Sequence, residues 1–193
     1  VPWEAVQRHR DRAINPNHPN LRGTAQSPDI YMQLVEAANP TYASVPEIVD
    51  KVFEEMAPVF GRRYRLFEYY GAEDAEDVIV CMGSGANVVH ETVNYLNARG
   101  SKVGVLKVRL FRPWSVKHFL EVLPKTVKRV AVLDRCKDPG AQGEPLFLDT
   151  CTSFSNRLSE IHPMVIGGRY GLGSKDFTPG QVMAVFENLR SEK

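Results

Sequence analysis

Four short apolar runs, each closing in a small, polar or charged cluster, constrain this chain more than any other feature. The runs are Val78–Met82, Val103–Leu110, Val130–Leu133 and Met164–Ile166. The clusters are Gly83-Ser84-Gly85, Arg109 to Arg112, Asp134-Arg135 and Gly167-Gly168-Arg169. Helical patterns fall between and after the runs. One covers residues 86–98, with Val88, Val89, Thr92, Val93 and Leu96 on one face and Gly100 behind it. Pro113 and Ser115 open a second, with apolar Val116, Phe119, Leu120 and Leu123. Pro145–Leu158 supplies a third, and Thr178–Leu189 a fourth with Thr178 as N-cap and Pro179 at its first position. Run starts recur about 25 residues apart, the length of a strand–helix unit. The expected fold is α/β: a three-layer, open, mostly parallel sheet with helices on both faces. Parallel strands gather all four clusters at one carboxyl edge, where such folds bind ligands or partners.

Residues 1–62 differ in character. A helical start from Glu4 to Ile14 runs into a loop dense in Pro, Asn and Gly, up to Asp29. A helix follows from Asp29 to Ala38, stopped by Asn39-Pro40. Ser44 then reads as an N-cap, with Pro46 in the first turn and Glu47 at the capping-box position. Ile48, Val49, Val52, Phe53, Met56 and Val59 form that helix's apolar stripe, closed by Gly61. The division expected is therefore a helical segment at 1–62 and an α/β domain at 63–193. Arg65–Tyr70 alternates weakly, as an edge strand would.

A net charge of +1 gives no reason to expect nucleic acid or a membrane surface as partner. No apolar run reaches the roughly 20 residues of a membrane-spanning helix. The first dozen residues lack the apolar core of a signal peptide, and a start on Val1 suggests excision from something longer. Cys81, Cys136 and Cys151 are scattered and odd in number, which argues against a disulfide framework or a metal site. A reducing, intracellular compartment is expected.

Glycines at 83 and 85 would let backbone N–H groups approach an anion at a helix N-terminus. Val88 stands where a dinucleotide fingerprint wants Gly or Ala, and Lys107, Arg109 and Arg112 replace the acid expected at the end of the second strand. NAD is disfavoured, and a phosphorylated ribose, as in NADP or coenzyme A, suits those cations better. The candidate phosphate or interface contacts are Gly83, Ser84, Gly85, Arg109 and Arg112. A tight turn with packing glycines, and a pair between Arg109 and Asp134 on a neighbouring strand, stand as alternatives. Asp134, Arg135, Arg169 and Lys175 are candidate interface residues, the last two on a Gly-rich loop able to form an anion nest or a plain surface crossing. Arg135 and Lys137 beside Cys136 could lower its thiol pKa, but no adjacent base is evident and a bystander thiol is the favoured reading. No catalytic constellation and no metal-ligand spacing is present.

At these clusters the chain resembles the pyruvate:ferredoxin oxidoreductase family and its fused NADP-linked relative. The resemblance rests on Arg22-Gly23-Thr24-Ala25-Gln26, Pro28 to Tyr31, Glu36 to Pro40, Val78-Ile79-Val80 with Met82-Gly83-Ser84, Lys107 to Leu110, Val132 to Arg135, Pro139-Gly140-Ala141 and Gly168 to Lys175. It implies that residues from about 63 form the second domain, similar to the transketolase C-terminal domain, after the tail of a pyrimidine-binding domain. It further implies a parent enzyme that decarboxylates pyruvate on thiamine diphosphate and Mg²⁺ and acetylates coenzyme A. Electrons would pass through [4Fe–4S] clusters to ferredoxin, flavodoxin or a fused flavin module, in a homodimer. The family's Gly-Asp-Gly signature and its cysteine runs do not occur in this sequence. The chain is thus expected to bind none of these cofactors itself, to contact other domains of its own polypeptide and to be inactive alone. The competing expectation is an independent coenzyme A or NADP phosphate-binding module.

Overall fold

The computed structural model describes residues 2–20, 23 and 25–191. Val1, Leu21, and the Arg22 and Thr24 of the first family motif lie outside the described residues. The chain divides into two compact units, residues 1–41 and 42–193.

The first unit carries α1 (Trp3–Asp11) and α2 (Pro28–Glu36). Glu4 near the start of α1 and Arg8 to Arg10 near its end suit the helix dipole. The helix stops before the Asn15-Pro16 step, which disfavours helical backbone at Asn15. Helix α3 (Asn39–Phe60) differs from the sequence expectation. It begins at Asn39 rather than after Ser44, so Asn39-Pro40 ends one helix and opens the next. Pro46 then sits inside α3 and is buried. Burial of its ring offsets the helix hydrogen bond that proline removes. Farther along, Val49 and Phe53 pack against the core of the second unit, to which they belong.

That core surrounds a five-stranded sheet ordered β1-β3-β2-β4-β5. The strands are β1 (Phe67–Gly71), β2 (Asp77–Met82), β3 (Val103–Val108), β4 (Arg129–Asp134) and β5 (Met164–Arg169). All neighbouring pairs are parallel except β1 with β3, which is antiparallel and leaves β1 at the edge. The fold is the mostly parallel, helix-covered α/β sheet expected from the spacing. Between and after the strands run α4 (Gly85–Asn97), α5 (Val116–Glu121), α6 (Pro145–Phe154) and α7 (Pro179–Arg190).

Alternation along the buried strands feeds two cores. Val78, Val80, Leu106, Val108, Val130 and Val132 face α5 and α6, meeting Phe119, Leu146 and Phe154. Ile79, Cys81, Val103, Val105, Ala131 and Leu133 face α4 and α7, meeting Val89, Val93, Val182 and Phe186. Helix α7 starts in a capping box, Thr178 accepting from the Gln181 N–H while the Gln181 side chain accepts from the Thr178 N–H. At the amino edge, buried Asp77 accepts from Arg129 and Arg190, each at 2.5 Å, tying β2 to β4 and to the end of α7.

The strand order places β2 between β3 and β4. The chain leaves β2 toward β3 through α4, then crosses back to β4 through α5. Winding reverses there, so a crevice opens outside the carboxyl ends of β2 and β4.

Candidate functional site at the carboxyl edge

Two cavities open on this edge and share Gly83. The first occupies the reversal point, with a volume of about 440 Å³, and is walled mainly by Met82, Phe111, Leu133, Pro145 and Tyr170. Gly83, in left-handed backbone with φ +69°, turns the chain from β2 into α4. Gly85 has another reason to be glycine. A Cβ there would lie 2.5 Å from the Tyr170 hydroxyl oxygen, because the tyrosine ring rests directly on the helix start. Tyr170 also donates to the Met82 carbonyl oxygen at 3.3 Å and lies against Phe177 with ring centroids 4.5 Å apart. For Gly85, the packing alternative describes the local geometry.

Asp134 ends β4 beneath this crevice and is 5% exposed. Its two carboxylate oxygens accept the Leu146 and Phe147 N–H groups at 3.1 and 3.2 Å, capping α6. Burial pushes its carboxyl above the usual range despite those two bonds, and the charges of Glu144 and Asp149 add to the rise. Cys136 Sγ sits 4.0 Å from Asp134 Oδ1. Burial, Asp134 and Glu144 push its thiol up, in keeping with a bystander thiol rather than one activated by Arg135 and Lys137. Arg135 donates from Nε to the Gly171 carbonyl oxygen at 3.2 Å, and Arg169 pairs with buried Glu144 at 2.9 Å. Lys175 is exposed.

The second cavity, about 470 Å³, lies outside β2 and β3 and is charged. Phe53, Tyr64, Gly83, Ala86, Asn87, Lys107, Val108 and Arg109 line it. Arg109 does not pair with Asp134. Strand β3 lies between β1 and β2, so its neighbour is Glu68 of β1, which Arg109 Nη2 meets at 2.8 Å. Burial pushes the Glu68 carboxyl up, but bonds from Arg109, Tyr70 and the Arg65 N–H win and hold it below the usual range. The Arg109 guanidinium lies 4.4 Å from the Tyr64 ring centroid. Arg112 turns elsewhere, to Asp149 at 2.5 Å.

Lys107 is 8% exposed. Its ammonium donates to Asn87 Oδ1 at 3.1 Å and lies 4.9 Å from the Tyr70 ring, whose plane stacks on His90. Sequence reasoning did not single out Glu68, Asn87 or Tyr64. The available signal was a charged residue within an otherwise apolar buried strand, which marked Lys107 and, by implication, whatever faces it.

Among the described residues no group of three His, Cys, Asp or Glu side chains could hold a metal ion. Cys81 is buried, which pushes its thiol up to about 12, far from thiolate character. These donors do not fit a Mg²⁺–diphosphate or [4Fe–4S] site. No helix among the described residues is long and apolar enough to cross a membrane.

A doubly wound sheet with its open cavities at the carboxyl edge defines a class of α/β domains. A 2-oxoglutarate:ferredoxin oxidoreductase from Magnetococcus marinus shares this fold. It matches with a TM-score of 0.55 and 23% identity over 91% of this chain and 28% of that one. The chain belongs to the family described as pyruvate:ferredoxin oxidoreductase core domain II, which matches residues 75–182. Pyruvate:ferredoxin oxidoreductase of Moorella thermoacetica is 58% identical over 98% of this chain and 16% of its own length. Pyruvate dehydrogenase [NADP(+)] of Cryptosporidium parvum is 53% identical over 99% of this chain and 10% of its own. The chain thus spans about a tenth to a sixth of these relatives.

Proposed function

We propose that this chain is a positioning domain of an enzyme that oxidises pyruvate to acetyl-coenzyme A, with no turnover of its own. Identity above one half across nearly the whole chain to pyruvate oxidoreductases carries the reading. Thiamine diphosphate, Mg²⁺ and the [4Fe–4S] clusters would then be held by other parts of the parent, whose acceptor is ferredoxin, flavodoxin or NADP, as the relatives' names indicate. A reducing compartment suits the three free thiols.

The carboxyl edge supports a docking role. Its charges are fixed in mutual contacts: Arg109 with Glu68, Arg112 with Asp149, Arg169 with Glu144, and Asp134 on the start of α6. Fixed charges present a rigid face, which suits recognition of a neighbouring domain. Arg135 and Lys175 stand apart, without a carboxylate partner among the described residues, and are the interface cations in this reading.

The isolated chain, supplied with pyruvate, coenzyme A, thiamine diphosphate, Mg²⁺ and a viologen acceptor, should reduce no viologen; steady reduction would overturn the proposal. The docking role has its own test in the double variant Arg135→Glu with Lys175→Glu. Its melting temperature should fall in the intact parent and hold steady in the isolated chain. An equal fall in both would assign these cations to internal stability instead.

A further inference from the structure

We propose that the cavity bounded by Lys107, Arg109, Asn87 and Gly83 binds the phosphate group of a small phosphate ester. The inference concerns the chain itself and does not rest on the activity assigned to its parent.

The starting observation is an ammonium in the wrong surroundings. Lys107 is more than nine-tenths buried, yet among the described residues its one hydrogen-bond acceptor is the neutral amide oxygen of Asn87. An ammonium has three donors, so two are left over. No carboxylate lies within ion-pair distance of it among the described residues. Glu68, the buried acid of the neighbouring strand, is already bonded by Arg109, Tyr70 and the Arg65 N–H. Nor does Cys81 supply a counter-charge, since its thiol stays protonated. Burial lowers the Lys107 pKa, and the Arg109 charge lowers it further. A buried charge normally has a partner, because stripping water from an ion is costly unless an opposite charge replaces it. Glu68 and Glu91 act on this ammonium through space, but neither pairs with it, and a cavity borders it instead.

The remaining walls favour phosphate. Arg109 spends one N–H on Glu68, leaving guanidinium donors in the planar array that matches phosphate oxygens. On the cavity wall, left-handed Gly83 leads through right-handed Ser84 (φ −64°), which lines the neighbouring cavity, into the thirteen-residue α4, whose Ala86 and Asn87 face the charged one. Successive N–H groups in such a turn form an anion-binding concavity, and the positive end of the helix dipole adds to it. Gly83 is open, with nothing within 4 Å of where its Cβ would be. The volume of about 470 Å³ exceeds the needs of a bare ion, and Phe53 and Tyr64 give an organic group an aromatic wall. Two cations and a helix start together match a dianion better than a single carboxylate.

The structure also revises which residues take part. Of the cations anticipated from sequence, Arg109 stays and Arg112 is diverted to Asp149. Gly85 lies under Tyr170, away from the charged cavity. Lys107 becomes the central group.

The test follows backbone amide resonances of the full chain during titration with inorganic phosphate, with ADP, and with glutarate at matched ionic strength. Phosphate and ADP should move the Gly83, Ser84 and Asn87 amides saturably, ADP at lower concentration. Lys107→Met should weaken both by about tenfold to a hundredfold, the cost of one charged hydrogen bond. Lys125→Ala, whose partner Glu160 lies outside this cavity, should change nothing. Met keeps the apolar stem and removes only the buried charge, so the variant should melt no lower than wild type. Should it fail to fold, the wild-type amide shifts decide by themselves. The proposal is overturned by amides that do not respond, by glutarate binding as tightly as phosphate, or by a folded Lys107→Met that retains full affinity.

Discussion

The two cavities of the carboxyl edge share a glycine and a sheet, yet their physics is opposite. Outside β2 and β4 the walls are mainly apolar, and a single acid, Asp134, is buried under them, bonded by two backbone N–H groups with the Cys136 thiol nearby. Outside β2 and β3 the walls carry Lys107 and Arg109, and the buried acid Glu68 has a guanidinium. The difference comes from the edge strand. Antiparallel β1 brings Glu68 alongside β3, where Arg109 pairs with it, whereas Arg169 of β5, opposite Asp134 in register, pairs with Glu144 instead. Which acid the neighbouring cation pairs with decides whether a buried carboxylate is held below or above its usual range.

The largest expected effect breaks the apolar side. Gly85→Ala forces a Cβ into the Tyr170 ring, which must move off both the helix start and Phe177. A loss of about 2 kcal/mol is expected from overpacking, read as a lower urea midpoint with unchanged slope. An unchanged midpoint would mean that Tyr170 swings away freely, and the crevice would have no fixed wall.

Next comes Glu68→Gln on the charged side. Removing one partner of a fully buried pair costs about 3–5 kcal/mol. Arg109 is 34% exposed and water recovers much of that, so about 1.5 kcal/mol is expected at neutral pH. The sign with pH follows from the lowered Glu68 pKa. Its stabilisation is present above the ordinary value near 4.5 and fades as pH falls through the folded-state value. The gap between wild type and Glu68→Gln should therefore close in acid. A gap that persists at low pH would show that the glutamine is misfitted, independent of charge.

Asp134→Asn is the smallest and carries the opposite sign. The raised Asp134 pKa means its contribution is fully present below the ordinary 3.8 and is lost as pH rises through the folded-state value. Asparagine carries no charge and escapes that loss, though it can satisfy the two N–H groups only through one oxygen. A change within about 1 kcal/mol is expected, with the variant gaining on wild type as pH rises across that range. If wild type gains instead, the charge of Asp134 is stabilised by the start of α6 more than burial opposes it.

Much of this edge was legible. The apolar run Val103–Leu110 marked β3, whose Leu106 and Val108 pack in one core and whose Val103 and Val105 pack in the other. Thr178 and Pro179 announced the start of α7, to which the structure adds Gln181 as the other half of a capping box. The illegible parts were pairings between distant segments. The sequence offered Asp134 as an alternative partner for Arg109, on the supposition of neighbouring strands, and the order β1-β3-β2-β4-β5 gives it Glu68. Ser44 and Pro46 imitated a helix start closely enough to hide that α3 begins at Asn39. Gly83 and Gly85 looked alike in the string Gly83-Ser84-Gly85, and only the approach of Tyr170 from 85 positions away separates a turn glycine from a packing one.

By itself the sequence determined the α/β class, the strands, most helix boundaries and the gathering of four polar clusters at one edge. Those features follow from periodicity and caps, whose energies are set within a few residues of chain. Tertiary structure alone decided what the clusters became: a mainly apolar crevice over a buried acid on one side of Gly83, and a buried lysine without an ion-pair partner on the other. Burial and ion pairing act through space, and a chain read in order does not reveal which charges will share a dry neighbourhood.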